Sequence, residues 1–167
     1  MLARRLFSVL VISGLMSGCG AAGYTGFRDA SSGIAFRYPA GWFVTGFSKT
    51  NSPSRLVVAS YRVTLPEVEG DCGGMEALNE LPSQGAAVLI IDYGPAAPTS
   101  SFPPRPQRFQ LRNGKYGNYE CFGRSYVFRF RSAGRDLQAH VEVGRLATAG
   151  RRSEALALLD SLDRSAP

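Results

Sequence analysis

Histidine is almost missing from this 167-residue chain; His140 is the only one. A nucleophile needs a base within reach, and histidine is the usual one, so the scarcity argues against acyl-transfer and related chemistry. No GxSxG elbow is present, and no GxGxxG or phosphate loop follows a strand pattern. Three cysteines with no CxxC spacing and one histidine leave too few ligands for a zinc site. Glu67, Glu69 and Asp71 alternate in a loop but lack the glycine and final glutamate of a calcium loop, so they read as a solvated acidic turn. Clustered positive charge is lacking too. The net charge is +6, with basic residues scattered singly after Arg5 except for Arg151-Arg152. No stripe tracks a phosphate backbone, which excludes the usual nucleic-acid footprint. The expectation is a protein that is not an enzyme, needs no cofactor or metal, and has no nucleic-acid partner.

What is present begins with an address. Arg4 and Arg5 precede an apolar run, Leu6–Met16, of 11 residues, short of the ~20 that a membrane-spanning helix needs. It reads as the hydrophobic part of a signal peptide. Met16-Ser17-Gly18-Cys19 resembles the bacterial lipobox, with methionine at −3 where leucine is usual. The resemblance implies residues 1–18 as a lipoprotein signal peptide, with Cys19 carrying the lipid (diacylglycerol and palmitate) on the extracytoplasmic face of the cell membrane. Residues 19–23 then form a lipidated tether. An ordinary secretory leader cut near Ala21-Ala22 would instead discard Cys19. Of the 19 basic residues, Arg4 and Arg5 fall in the leader, leaving 17 against 13 acidic ones.

Cys72 and Cys121 remain. Outside the cytoplasm two such thiols read as one disulfide bond, which would close a loop of ~50 residues and stabilise the fold by about 4 kcal/mol. The alternative is two buried free thiols.

The clearest element is Arg124–Val143. Tyr126, Phe128 and Phe130 alternate with Val127, Arg129 and Arg131, and Leu137, Ala139, Val141 and Val143 alternate with Asp136, Gln138, His140 and Glu142. That is an antiparallel hairpin with one apolar and one polar face, turning at Ser132–Arg135. The polar face, bearing His140, is expected to be partly open to solvent. Strands are also predicted over Tyr24–Arg28, Ile34–Tyr38, Trp42–Phe47, Arg55–Val63, Ala86–Tyr93 and Gln107–Arg112. The five-proline stretch Gly94–Pro106 reads as an exposed loop, and Met75–Leu81 as a short helix. Ala155, Leu158, Leu159 and Leu162 stripe a final helix over Arg151–Leu162. Its charges oppose the helix dipole, so packing must hold it.

GIAFRYPAGW (residues 33–42) shows the pattern apolar-x-Phe-x-Tyr-Pro-x-Gly-Trp. With the lipobox before it and the hairpin and LLDSL-ending helix after it, the chain resembles Mog1/PsbP-like domains of the actinobacterial lipoprotein type over residues 24–163. The expected fold is α+β: one antiparallel sheet of about seven strands against a C-terminal helix, with at most a thin second helical layer. The resemblance also implies a non-catalytic binding or adaptor module of the cell envelope with a protein or envelope partner, anchored to the membrane by its lipid. A small-ligand carrier or sensor, with a pocket between sheet and helix, is the alternative. Candidate contact residues are Arg129 and Arg131 beside His140, the aromatics Tyr38 and Trp42, and Phe102 and Arg105 of the proline-rich loop. Each has a plainer reading, as core aromatic, stiff connector or solvated face.

Overall fold

The computed structural model describes residues 23–29, 33–47, 54–64, 80–121 and 123–164. The leader, Cys19, Cys72, the acidic turn and nearly all of the Met75–Leu81 helix candidate lie outside them.

The fold is α+β, with nine strands in two antiparallel sheets and one α-helix among the described residues. The strands are β1 (Tyr24–Arg28), β2 (Ile34–Pro39), β3 (Phe43–Phe47), β4 (Ser54–Ala59), β5 (Ala86–Pro95), β6 (Lys115–Tyr119), β7 (Gly123–Ser132), β8 (Arg135–Val143) and β9 (Asp163–Arg164). The helix α1 (Ala149–Asp160) follows β8. The large sheet runs β3-β4-β5-β8-β7-β6, and β1, β2 and β9 form a separate small one. The single sheet expected from sequence is therefore divided. Pro39 ends β2, Gly41 turns at φ 90°, and the chain re-emerges in the other sheet.

The β7–β8 hairpin takes the predicted register, with Phe128 opposite Ala139 and Phe130 opposite Leu137. Its turn places both Ala133 (φ 48°) and Gly134 (φ 72°) in the left-handed region, the backbone that matches strand twist in a two-residue loop.

One face of the large sheet is dry. Leu56, Val58, Val88, Ile90, Phe130, Leu137, Ala139 and Val141 pack there with Ala155, Leu158 and Leu159 of α1. Ile34 and Phe36 join this core from the small sheet, with Tyr38 packed against it, so β2 and α1 together cover the large sheet. Ser161 ties the two covering elements: its Oγ accepts from the Arg37 amide at 2.8 Å and lies 3.1 Å from the Arg37 carbonyl.

The helix solves its charge problem from outside its own sequence. Thr148 caps its start by accepting the Arg151 amide, which satisfies one of the free donors there. No basic residue lies in its last turn. Arg105 Nη2 reaches in from the proline-rich loop and donates to the Leu159 and Asp160 carbonyls at 2.9 and 2.7 Å, placing a cation at the negative end.

One local expectation fails. Gln107–Arg112 is not a strand; Leu111–Asn113 forms a 3-10 turn. Its alternation instead lets Phe109 insert edge-on against Phe128 and Phe130, while the Phe109 amide donates to Asp160 Oδ1. The proline-rich stretch is largely exposed, as expected, and it is also held: Pro104 pairs with Arg131 in a parallel bridge along the outer edge of β7.

Candidate functional site

The far face of the large sheet carries the buried polar chemistry. Asp136, Gln138, His140 and Glu142 of β8 are all buried, beside Leu89 and Ile91 of β5 and Val57 of β4. The expectation of a partly open His140 is therefore corrected: the side chain has no exposed surface, and it cannot serve as part of an accessible ligand surface. Gln138 Oε1 accepts from Arg129 Nε at 2.9 Å, which turns the Gln138 amide nitrogen onto His140 Nε2 at 2.7 Å. The imidazole must then accept at Nε2 and carry its proton on Nδ1, 3.0 Å from Ser125 Oγ. That tautomer donates to Ser125 rather than drawing its proton, the reverse of what an activated serine requires.

Burial, with the Arg129 guanidinium as a smaller cause, pushes the His140 imidazole down to about 4. Burial pushes the Glu142 carboxyl up to about 8, and among the described residues its Oε1 has no hydrogen-bond partner. Burial first, then the Glu142 and Glu80 carboxylates, raises Tyr61 above the usual phenol range. Near neutral pH this face holds a neutral imidazole and a neutral carboxyl.

The hairpin arginines divide by what they touch. Arg135 grips the buried Asp92 through Nε and Nη2 at 2.9–3.1 Å. Arg131 pairs with Asp136 at 3.3 Å and donates to the Ser100 carbonyl. Among the described residues Arg129 makes only the Gln138 bond and a stack over Phe102 at 5.9 Å. Among the described residues no carboxylate lies within salt-bridge distance of it.

Arg129 lines a pocket of about 420 Å³ between the proline-rich loop and the β6–β7 edge. Pro103, Pro104, Phe109 and Tyr119 supply apolar walls, and Arg108 and Lys115 add two further cations. None of the described lining residues is acidic. Asp160 reaches Arg108 from outside, at 3.8 Å. Gly114 shapes one end: a Cβ there would sit 2.7 Å from Phe128 Cζ, so only a bare backbone crosses that ring. Tyr119 connects pocket and buried network, meeting the His140 ring edge-on at 5.2 Å.

Of the candidate residues, only Arg129 lines this pocket. Trp42 is a core residue, 6% exposed, with Arg151 stacked over its ring. Tyr38 packs against the same core. Arg105 caps α1, and Phe102 sits between Tyr93 and Arg129. Cys121 lies in the turn after β6 and packs against the far-face cluster; Cys19 and Cys72 are outside the described residues. The pocket is not between sheet and helix, where Ala155, Leu158 and Leu159 leave no exposed surface. Sequence reading missed Lys115, Arg108, Phe109 and Tyr119. The one signal was positional, a proline-dense stretch and the glycine turn NGKYGN flanking a short segment. Among the described residues no group of His, Cys, Asp or Glu could hold a metal ion, and no helix is long and apolar enough to cross a membrane. No protein-family model, curated protein or solved structure matches the chain.

Proposed function

We propose that this protein is a non-catalytic, lipid-anchored binding module of the cell envelope, of Mog1/PsbP-like type, and that the pocket beside Arg129 is its recognition site. The observation carrying the reading is that pocket: three cations, walls of proline and aromatic carbon, and no acidic lining residue among those described. The Met16–Cys19 lipobox supports the anchor, and the GIAFRYPAGW segment supports the family. The buried Ser125–His140 pair, with its proton pointing toward the serine, supports a role in binding rather than catalysis. A Cys72–Cys121 disulfide belongs to the same proposal; intact mass should rise by two hydrogens on reduction, and an unchanged mass removes it.

The test uses intact cells. A photo-crosslinker placed at Lys115 should capture a defined species, and Arg129→Glu should abolish capture while leaving the protein in the membrane fraction. Cys19→Ala should release the protein from that fraction. Capture unaffected by Arg129→Glu would remove the pocket from the reading. A second reading, a carrier of small molecules, is favoured by the concavity, whose volume lies in the range of small-ligand sites.

A further inference from the structure

The pocket coincides with a break in hydrogen bonding along the outer edge of β7. β6 pairs with β7 from Gly123 only as far as Val127, opposite Lys115. Beyond it the proline-rich loop takes over: the Arg131 amide donates to the Pro103 carbonyl and the Arg105 amide to the Arg131 carbonyl. In an antiparallel strand every second residue turns its amide and carbonyl to the same edge. Val127 and Arg131 both meet partners on the outer edge, so Arg129, midway between them, faces it as well. Neither β6 nor the loop has a residue in register with Arg129.

The break is one rung wide. An added strand would collide with β6 on one side and with Pro103 and Pro104 on the other, so only the end of a ligand can enter. The Arg129 amide faces this opening, and its guanidinium, held through Nε to Gln138, belongs with Lys115 to the lining of the pocket. Nearby walls are apolar and aromatic.

We propose that the break admits, end-on, a carboxylate carried on a flat apolar body. The carboxylate sits on Arg129, and the body lies against Pro103, Phe109 and Tyr119. This rests on the pocket being the recognition site and specifies what it recognises. Two sources share that chemistry, a free aromatic acid and the C-terminal residue of a protein ending in an aromatic side chain.

The experiment titrates the full ¹⁵N-labelled chain in detergent micelles with phenylacetate, phenylacetamide, acetyl-Gly-Gly-Phe and its C-terminal amide. Both acids should shift the Arg129 amide saturably, and each neutral amide should bind at least tenfold more weakly. Arg129→Glu and Lys115→Glu, each on an exposed side chain, should weaken the acids at least tenfold, whereas Arg152→Glu on α1 should not. Tighter binding of the peptide assigns the site to a protein terminus; tighter binding of phenylacetate assigns it to a small acid. Acids and amides binding alike, or acids leaving Arg129 unmoved, overturns the proposal. The crosslink from Lys115 in cells would persist if only the ligand class is wrong, and would be lost as evidence if the pocket reading itself is wrong.

Discussion

Along β8 both faces of the large sheet are buried, and they are chemically opposite. Toward α1, β8 presents Leu137, Ala139 and Val141; away from it, the same strand presents Asp136, Gln138, His140 and Glu142. The dry face gains stability from apolar contact at about 25 cal/mol per Å² buried. The polar face must satisfy each donor and acceptor or leave a group desolvated at a cost of about 1–3 kcal/mol. It hydrogen-bonds Arg129, Gln138, His140 and Ser125 in series and holds its two most buried titratable groups neutral, while Glu142 Oε1 is left without a partner among the described residues. Packing thus answers to volume on one side and to proton inventory on the other.

The largest expected effect breaks the dry face. Leu159→Ala removes a side chain with no exposed surface, and should cost about 2–5 kcal/mol in urea unfolding, independent of pH. The polar face should respond to pH instead. His140 binds its proton less readily folded (about 4) than unfolded (6.5), so stability rises with pH across that interval. Glu142 binds its proton more readily folded (about 8) than unfolded (4.5), so stability falls as pH rises between those values. The slopes, each roughly 1.4 kcal/mol per pH unit, offset one another where the windows overlap. Only the loss due to Glu142 remains from pH 6.5 to 8. Over that range the parent should lose about 2 kcal/mol, and Glu142→Gln should be flat by comparison; an equally sloped variant would show that the face is not holding a proton.

A smaller effect sharpens the contrast at the join between loop and helix. Arg105→Ala removes the donor to the last carbonyls of α1, and should cost about 1 kcal/mol, with Arg105→Lys recovering part of it. The smallest belongs to the turn common to both faces. Ala133 holds φ 48°, so Ala133→Asn, suited to that backbone, should add about 0.5 kcal/mol by thermal unfolding.

Periodicity made the hairpin, the helix stripe and the α+β class legible, because alternation and 3.6-residue spacing are local properties. It could not show that β1 and β2 leave the large sheet, since alternation states which residues share a face and not which strand pairs with which. It could not show that His140 is covered either; a polar strand face looks the same in sequence whether water or protein lies over it. Arg105 read as a loop cation because its acceptors, Leu159 and Asp160, lie more than fifty residues away. The pocket was least legible of all. It draws on a loop, a 3-10 turn and two strands, and no single stretch contains enough of it to leave a pattern.

The bridge from Pro104 to Arg131 bears on how such a sheet stays solitary. A ten-residue strand with half its margin bare would offer a template for another copy to zip onto. Prolines cannot extend a ladder outward, because they have no amide hydrogen to give. Laid along that margin, Pro103 and Pro104 act as a guard rail, leaving an opening too narrow for a neighbouring strand to grip.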